Sequence, residues 1–128
     1  MIKVKIADII EQITPTFHFG QSNELEMDCA GLVIWYLKKN DIDCSWERWL
    51  IREVVTVSYL TRILRFIGFI RVKQEIDGKI SILCTNGNRI GHVSILQDGL
   101  VYSMTKQGIE IIKEESIVTN KKYWYLPL

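Results

Sequence analysis

Two side chains that are far apart in the sequence, Cys29 and His92, could together form a nucleophile and its base. An imidazole can take the proton of a thiol, and the resulting thiolate can attack the carbonyl carbon of an amide. The same imidazole can then protonate the leaving amine. The pair predicts thiol-dependent cleavage of an amide bond. The alternative is a buried structural cysteine and a half-buried strand histidine.

The apolar run that begins at Cys29 has helical spacing and predicts a helix from about Asp28 to Lys39. Asp28 is a residue type that caps helices, and the cysteine falls in the first turn. A helix N-terminus stabilises negative charge, so the pKa of a cysteine there can fall from ~8.5 to roughly 3.5–7.5. The small residues Ala30 and Gly31 leave room for another strand or a substrate to approach the sulfur.

A third polar side chain normally orients such an imidazole, and the strand pattern offers two candidates. His92 lies in an alternating segment that Asp98-Gly99, a strong hairpin signal, joins to a second alternating segment. A two-residue turn would place Ser103 diagonal to His92 and Thr105 directly opposite it, on the same face. Each offers a neutral hydroxyl that could fix the tautomer of the ring. Ordinary polar residues on a strand face are the alternative.

The elements that must position these residues are helices in the first half of the chain and strands in the second. A short amphipathic helix is predicted over 5–13, ended by Thr14-Pro15. Residues 45–69 predict one or two further helices, with a β-branched stretch at 54–57 that could instead be a strand. This order predicts a single α+β domain over 1–128. The predicted strands cover 79–84, 90–96, 100–104, 109–112 and 121–128.

Composition and charge restrict the class of protein. A chain of 128 residues can bury one core, and its formal net charge of +1 predicts no nucleic-acid or membrane partner. Three cysteines and two histidines lack the spacing of a disulfide framework or a metal site, so no metal or cofactor is predicted. The N-terminal residues lack the apolar core of a secretory signal, and no stretch reaches the ~20 apolar residues of a membrane span.

Two segments resemble the NlpC-type cell-wall cysteine peptidases, which share a papain-like core. The first is TPTFHFGQSNELEMDCAGLV, residues 14–33, with an aromatic-and-glycine loop before Asp-Cys-small-Gly-Leu-Val at a helix start. The second is GHVSILQDGLVYS, residues 91–103, in which a histidine opens a strand that leads to a tight glycine turn and a further strand. The first segment is most similar to the members encoded by tailed phages.

The resemblance implies a papain-like fold in which the helix of Cys29 packs on one antiparallel sheet that carries His92. It implies that Cys29 is the nucleophile and His92 is the base. Ser103 would be the third catalytic residue, because it occupies the place where the family usually has histidine, asparagine or glutamine. Cys29 and His92 are expected on the faces of the helix and the sheet that pack against each other, so the sulfur would face the imidazole ring.

The resemblance also implies a substrate, which is the peptide stem of bacterial peptidoglycan, cut next to D-glutamate without a cofactor. Phe17 occupies the place of a family aromatic that often supplies a tyrosine hydroxyl, and it is expected to bind substrate with Asp28 and Gly31. Trp46 and Trp49, at helical spacing, could line a substrate groove or belong to the core.

The implied setting is a phage tail, with tail or baseplate proteins as partners and delivery by the virion. A cytoplasmic location is the alternative. Two other functions fit the same residues. One is a structural tail module that is catalytically weak or inactive, and the other is a different thiol-dependent amidase or acyltransferase on the same fold.

Overall fold

The computed structural model describes the backbone of residues 2–45, 57–86 and 92–127, and the side chains of these residues except 57–61 and 86. Its helices are α1, Cys29–Lys39, and α2, Val57–Phe66. The strands are β1 (Thr16–Phe17), β2 (Glu26–Met27), β3 (Ile70–Val72), β4 (Ile80–Asn86), β5 (His92–Gln97), β6 (Leu100–Thr105), β7 (Gly108–Lys113) and β8 (Asn120–Leu126). No helix within these ranges is both long and apolar enough to cross a membrane.

The main sheet has six antiparallel strands in the order β3-β8-β4-β5-β6-β7. The two short strands β1 and β2 pair with each other in parallel, outside this sheet. Helices combined with an antiparallel sheet confirm the predicted α+β class. The strand β3 was not predicted, because three residues at a sheet edge are too few for a clear alternating pattern.

The hairpin between β5 and β6 has the predicted register, in which Gln97 pairs with Leu100. Its two turn residues have left-handed backbones, with φ of 53° at Asp98 and 77° at Gly99. Aspartate and glycine tolerate this conformation, and the turn matches the twist of the flanking strands. Local turn chemistry therefore fixes which residues of β6 lie beside those of β5.

Helix α1 packs on the middle of the sheet, against β5 and β6. Residues 30–37 of this helix are all buried, so it is enclosed on every side rather than along one stripe. The sheet face toward α1 supplies Val93, Ile95, Tyr102 and Met104 to the main core. The opposite face carries a smaller core of Leu83, Leu96 and Val101, covered by Ile112, Ile117 and Tyr123.

Buried amide side chains tie the N-terminal segment to α1 and to β5. The Oδ1 atom of Asn40 accepts hydrogen bonds from the backbone N–H groups of Lys3 and Val4, at 2.9 Å and 3.0 Å. The Oε1 atom of Gln97 accepts from the backbone N–H of Ile6 at 2.8 Å. Its Nε2 donates to the Tyr36 hydroxyl, also at 2.8 Å. These bonds satisfy polar groups that would otherwise be buried alone.

The prediction of one helix over 5–13 is wrong. The structure has two separate 3-10 turns there, Ile6–Asp8 and Ile10–Gln12, with Ile9 between them at φ −122°. An α-helix of two turns is costly to nucleate, and long-range hydrogen bonds hold the backbone of this segment instead. The predictions for Trp46, Trp49 and the stretch 54–56 lie outside the described residues. Val57 begins α2.

Candidate active site

Cys29 and His92 line the same cavity, which has a volume of about 390 Å³. The cavity lies at the end of the β5–β6 hairpin away from its turn, because His92 begins β5 and Thr105 ends β6. Two elements distant in sequence thus contribute the predicted nucleophile and base to one space. Among the residues that the structure describes, the wall consists of Phe17, Phe19, Cys29, His92, Met104, Thr105 and Lys106.

His92 approaches this cavity from the end of its strand and not from the predicted inward face. Alternation along β5 gives it the side-chain direction of Ser94 and Leu96, and Leu96 belongs to the core on the far side of the sheet from α1. Val93, the next residue, packs in the α1-facing core and directs its backbone N–H to the sulfur of Cys29. The expectation that both residues lie on inward faces is therefore wrong for His92. The two residues share the cavity at the strand end.

Asp28 caps α1 as predicted and also holds the preceding loop. Its Oδ1 accepts a hydrogen bond from the backbone N–H of Gly31 at 2.6 Å, and its Oδ2 accepts from that of Gly20 at 2.9 Å. The side chain is only 3% exposed and is absent from the described wall of the cavity. These contacts are structural, because both carboxylate oxygens are engaged with the chain's own backbone.

Gly31 is the point at which that loop comes closest to the helix. A Cβ atom at this position would lie 2.1 Å from the backbone oxygen of Gln21, a distance that real Cβ contacts do not reach. The same oxygen accepts a hydrogen bond from the backbone N–H of Asp28 at 3.2 Å. The room that Gly31 provides is therefore filled by the chain's own loop. Its predicted contact with substrate is not among the contacts that the structure gives it.

Burial raises the pKa of the Cys29 thiol, and the negative charge of Asp28 acts in the same direction. Backbone N–H groups of Val93, Ala30 and Cys29 itself favour the thiolate and offset part of this increase. The expectation of a net lowered pKa at Cys29 is thus wrong, because removing the sulfur from water outweighs the favourable N–H groups at the start of the helix. At neutral pH the resting side chain is a thiol.

Burial has the opposite effect on His92, because the charged form of an imidazole is a cation. It lowers the pKa of His92, and the charge of Glu110 raises it in part. Glu110 lies on β7, paired with Ser103 in the sheet. The imidazole is therefore neutral at neutral pH and can accept a proton. A protonated thiol and a neutral base are the starting state for general-base activation of a nucleophile.

Ser103 forms a hydrogen bond with Ser94, with 2.7 Å between the two Oγ atoms. Both serines are buried, on the sheet face that carries Leu96. Neither is part of the described cavity wall. The structure thus brings the hydroxyl of Ser103 to a neighbouring serine two positions along β5 from His92. Its role as the third catalytic residue stays a prediction.

Thr105, the other predicted candidate, does line the cavity. Its Oγ1 donates a hydrogen bond to the backbone oxygen of Gly108 at 2.9 Å and accepts one from the N–H of Gln107 at 3.2 Å. These two bonds fix the turn between β6 and β7. A hydroxyl occupied in this way has one lone pair left for an imidazole N–H.

Sequence reasoning selected Phe17 as a substrate contact, and this side chain does form part of the wall. It missed Phe19, Met104 and Lys106 as site residues. Phe19 stands edge-on to Phe17, with ring centroids 4.9 Å apart, so the alternating aromatics of the loop were an available signal. Lys106 had no such signal, because its place beside Cys29 depends on how the β6–β7 turn meets the loop before α1.

A larger cavity of about 510 Å³ lies on the far side of the sheet, with Leu96 and Tyr123 in its wall. Its acidic groups are already bound by the chain itself. Glu75 accepts hydrogen bonds from the backbone N–H groups of Asp98 and Gly99, and Glu114 accepts from Tyr123 and Lys121. No cysteine or histidine lines it within the described part of the chain. The larger cavity therefore lacks both the predicted nucleophile and the predicted base among its described residues.

Over residues 2–45, 57–86 and 92–127, no three histidine, cysteine, aspartate or glutamate side chains converge as a metal-binding group. None of Cys29, Cys44 and Cys84 forms a disulfide bond, and Cys44 and Cys84 are buried. No family model, no curated protein and no solved structure matches the chain. The function must therefore be argued from the residues and their geometry.

Proposed function

We propose that this chain is a cysteine endopeptidase with a papain-like core that hydrolyses the peptide stems of bacterial peptidoglycan. The observation that carries the proposal is the shared cavity of Cys29 and His92. Each is the first residue of its element, Cys29 of α1 and His92 of β5. The fold supports the papain-like assignment, because a cysteine-bearing helix packs on an antiparallel sheet whose strand bears the histidine.

The first half of the reaction is acyl transfer to sulfur. A ring nitrogen of His92 accepts the thiol proton, and the sulfur electron pair forms a bond to the carbonyl carbon of the scissile amide. The C–N bond then breaks, and the imidazolium returns the proton to the leaving nitrogen. The products are a free amine and a thioester on Cys29.

The second half releases the acyl group. Water attacks the thioester carbon and loses a proton to His92, which passes it to the departing sulfur. The N–H groups of Val93, Ala30 and Cys29 stabilise the sulfur whenever it carries negative charge, and this lowers the cost of forming a thiolate in a buried site. Cys29 and His92, which both line the cavity, are the only side chains that form a bond or carry a proton in these steps.

The choice of substrate and setting comes from the sequence resemblance. Peptidoglycan stems, a phage tail and tail or baseplate partners are what the similarity to NlpC-type peptidases of tailed phages implies. The cavity is compatible with a peptide, because two aromatic rings and Met104 supply an apolar wall beside the sulfur. A virion location fits this substrate.

The test is digestion of purified peptidoglycan, with the released fragments identified by mass spectrometry. The parent protein is expected to release stem peptides, and Cys29→Ala and His92→Ala are each expected to reduce release at least 100-fold, because both remove a participant in bond cleavage. Cys44→Ala is the matched control, since it removes a buried thiol that is absent from the cavity wall. Equal release by the parent and Cys29→Ala would contradict the proposal.

The structural-module alternative is favoured by the contacts of three predicted site residues. The contacts of Asp28 and Gly31 hold the fold without any chemistry, and Ser103 is bonded to Ser94. This alternative would be supported if the parent protein released no fragments and if the Cys29→Ala variant folded as stably as the parent.

The acyltransferase alternative is distinguished from hydrolysis by digestion in water enriched in oxygen-18. Hydrolysis incorporates one heavy oxygen into the new carboxylate, whereas transfer to an amine incorporates none.

A further inference from the structure

The described wall of the cavity beside Cys29 carries positive charge and no negative charge. Of the residues that form its described wall, only Lys106 carries a permanent charge. Cys29 is protonated and His92 is neutral at neutral pH, for the reasons of burial given above. The remaining described wall is mostly apolar, and Lys106 itself is exposed, so a ligand group at the lysine meets a single cation at the rim of an apolar cavity.

The position of Lys106 is fixed by a tight turn. Lys106 and Gln107 connect β6 to β7, where Thr105 pairs with Gly108. The hydroxyl of Thr105 bonds across the turn to the N–H of Gln107 and the backbone oxygen of Gly108, and Gly108 has the left-handed φ of 115° that the turn requires. The backbone therefore holds the root of the lysine at the rim, and its flexible stem can direct the ammonium group into the cavity.

Lys106 has no carboxylate partner among the residues that the structure describes. Glu110, whose charge reaches His92, is paired in the sheet with Ser103. An unpaired cation beside a nucleophile attracts an anionic group of the substrate. Phe17 and Phe19 offer apolar surface for the carbon atoms that carry that group.

We infer that Lys106 is a specificity-determining residue that binds a carboxylate on a substrate residue next to the scissile amide. The inference rests on the proposed function and deepens it, because it assigns a residue of this chain, Lys106, to recognition of the free carboxylate beside the scissile bond. A stem in which that carboxylate is amidated keeps its shape but loses the charge. The site is expected to discriminate between the two forms.

The experiment measures binding first, so that it does not depend on catalysis. Cys29→Ala is titrated by calorimetry with a synthetic stem peptide whose D-glutamate bears a free carboxylate, and with the same peptide as the carboxamide. The carboxylate form is expected to bind about 5- to 30-fold more tightly, the range between an exposed ion pair and a charge-assisted hydrogen bond. Lys106→Met in the same background should abolish this preference, and Lys106→Arg should keep most of it.

The matched control is Lys113→Met, which removes an exposed lysine at the far end of β7 from the cavity. It is expected to leave the preference unchanged, and added salt should reduce the preference in the parent background. Equal binding of the two peptides, or a preference that survives Lys106→Met, would overturn the inference whatever the cleavage assay gives. A preference that depends on Lys106 without any cleavage by the intact protein would support the inference and overturn the proposed hydrolysis.

In the cleavage assay the preference should appear chiefly in KM, because an ion pair that involves none of the reacting atoms binds substrate and transition state alike. A loss confined to kcat in Lys106→Met would contradict a role in recognition.

Discussion

At the scale of single residues, the protonation states of Cys29 and His92 determine how the site can work. A papain-type ion pair needs a thiolate and an imidazolium at rest, which a lowered cysteine pKa would supply. Burial acts against both charged forms here, since it raises the pKa of Cys29 and lowers that of His92. In the proposed hydrolysis the neutral pair therefore transfers its proton during the reaction and not before it. Under the same proposal, the bound peptide makes this transfer productive by bringing its carbonyl carbon to the sulfur.

The pH dependence of thiol alkylation tests these protonation states without a substrate. In a Cys44→Ala, Cys84→Ala double variant, iodoacetamide can modify only Cys29. Because only the thiolate reacts and the pKa of Cys29 is raised, the rate should keep increasing above about pH 8.5, the midpoint of a free cysteine. At pH 7 it should be lower than that of a cysteine peptide. Mass spectrometry of timed samples gives the rates.

A rate that reaches its plateau below pH 7 would contradict this expectation, because it would require a preformed thiolate. Cys84, which is not among the residues that line the cavity, offers a comparison within the same chain. Burial raises the pKa of Cys84 to about 12, so in the parent protein Cys29 should react before Cys84. Unfolding in denaturant should remove the difference.

At the scale of elements, the start of α1 depends on one close contact between Gly31 and the loop. In most helices a change from glycine to alanine is stabilising by about 1 kcal/mol, since it restricts the unfolded chain. Here the added methyl group would overlap the Gln21 carbonyl. We expect Gly31→Ala to lower the free energy of unfolding by about 1–3 kcal/mol, the usual cost of overpacking. Chemical denaturation followed by circular dichroism measures it.

The control for this experiment is the reverse substitution at the adjacent position. Ala30→Gly should also destabilise the protein, by about 1 kcal/mol, because glycine is a poor helix former. Helix propensity alone predicts opposite signs for these two variants. If Gly31→Ala proved stabilising, the close approach of the Gln21 carbonyl would not hold in solution.

At the scale of the whole molecule, the buried side-chain amides of Asn40 and Gln97 tie the N-terminal segment to α1 and β5. Gln97 connects the segment before α1 to the end of β5, through its bonds to Ile6 and Tyr36. Gln97→Met keeps the length of the side chain but leaves the Ile6 N–H unpaired. We expect a loss of about 1–3 kcal/mol in the free energy of unfolding, the cost of one buried polar group without a partner.

Amide hydrogen exchange supplies a local measurement for the same variant. The N–H of Ile6 should exchange faster in Gln97→Met than in the parent, beyond the change expected from global stability alone. Gln107→Met, at an exposed position in the β6–β7 turn, is the control and should change neither quantity. Unchanged protection at Ile6 would mean that the hydrogen bond from Gln97 contributes nothing to holding this segment.

The parts of the fold that could be predicted are those with local causes. The Asp98-Gly99 turn and the cap at Asp28 depend on neighbouring residues, and both predictions are confirmed. The segment 5–13 could not be predicted, because its conformation depends on side chains such as Gln97 that are remote in sequence. Local apolar spacing alone favoured a helix there.

In the candidate site, too, the features with local causes could be predicted and those that depend on the folded chain could not. Residue type and motif led to Cys29 and His92, and hairpin register led to the pairing that brings Ser94 and Ser103 together. The pKa of Cys29 could not be predicted, since it depends on how deeply the folded chain buries the sulfur. Lys106 could not be predicted either, because only the folded chain brings the β6–β7 turn to the loop before α1.

The contact between Gly31 and the Gln21 carbonyl has a consequence for how this protein would diverge. Selection for a folded chain is enough to retain Gly31 and Asp28, whether or not the protein has catalytic activity. For folding, position 29 needs only a side chain that packs against the main core, so a purely structural lineage could exchange Cys29 for alanine and His92 for leucine. In such a lineage, neutral substitutions would replace the nucleophile and the base first, and the rest of the motif would stay recognisable. A relative without catalytic activity would therefore be expected to keep the glycine and the aspartate and to lose the cysteine and the histidine. This chain has both Cys29 and His92, the two residues of the motif that folding does not require.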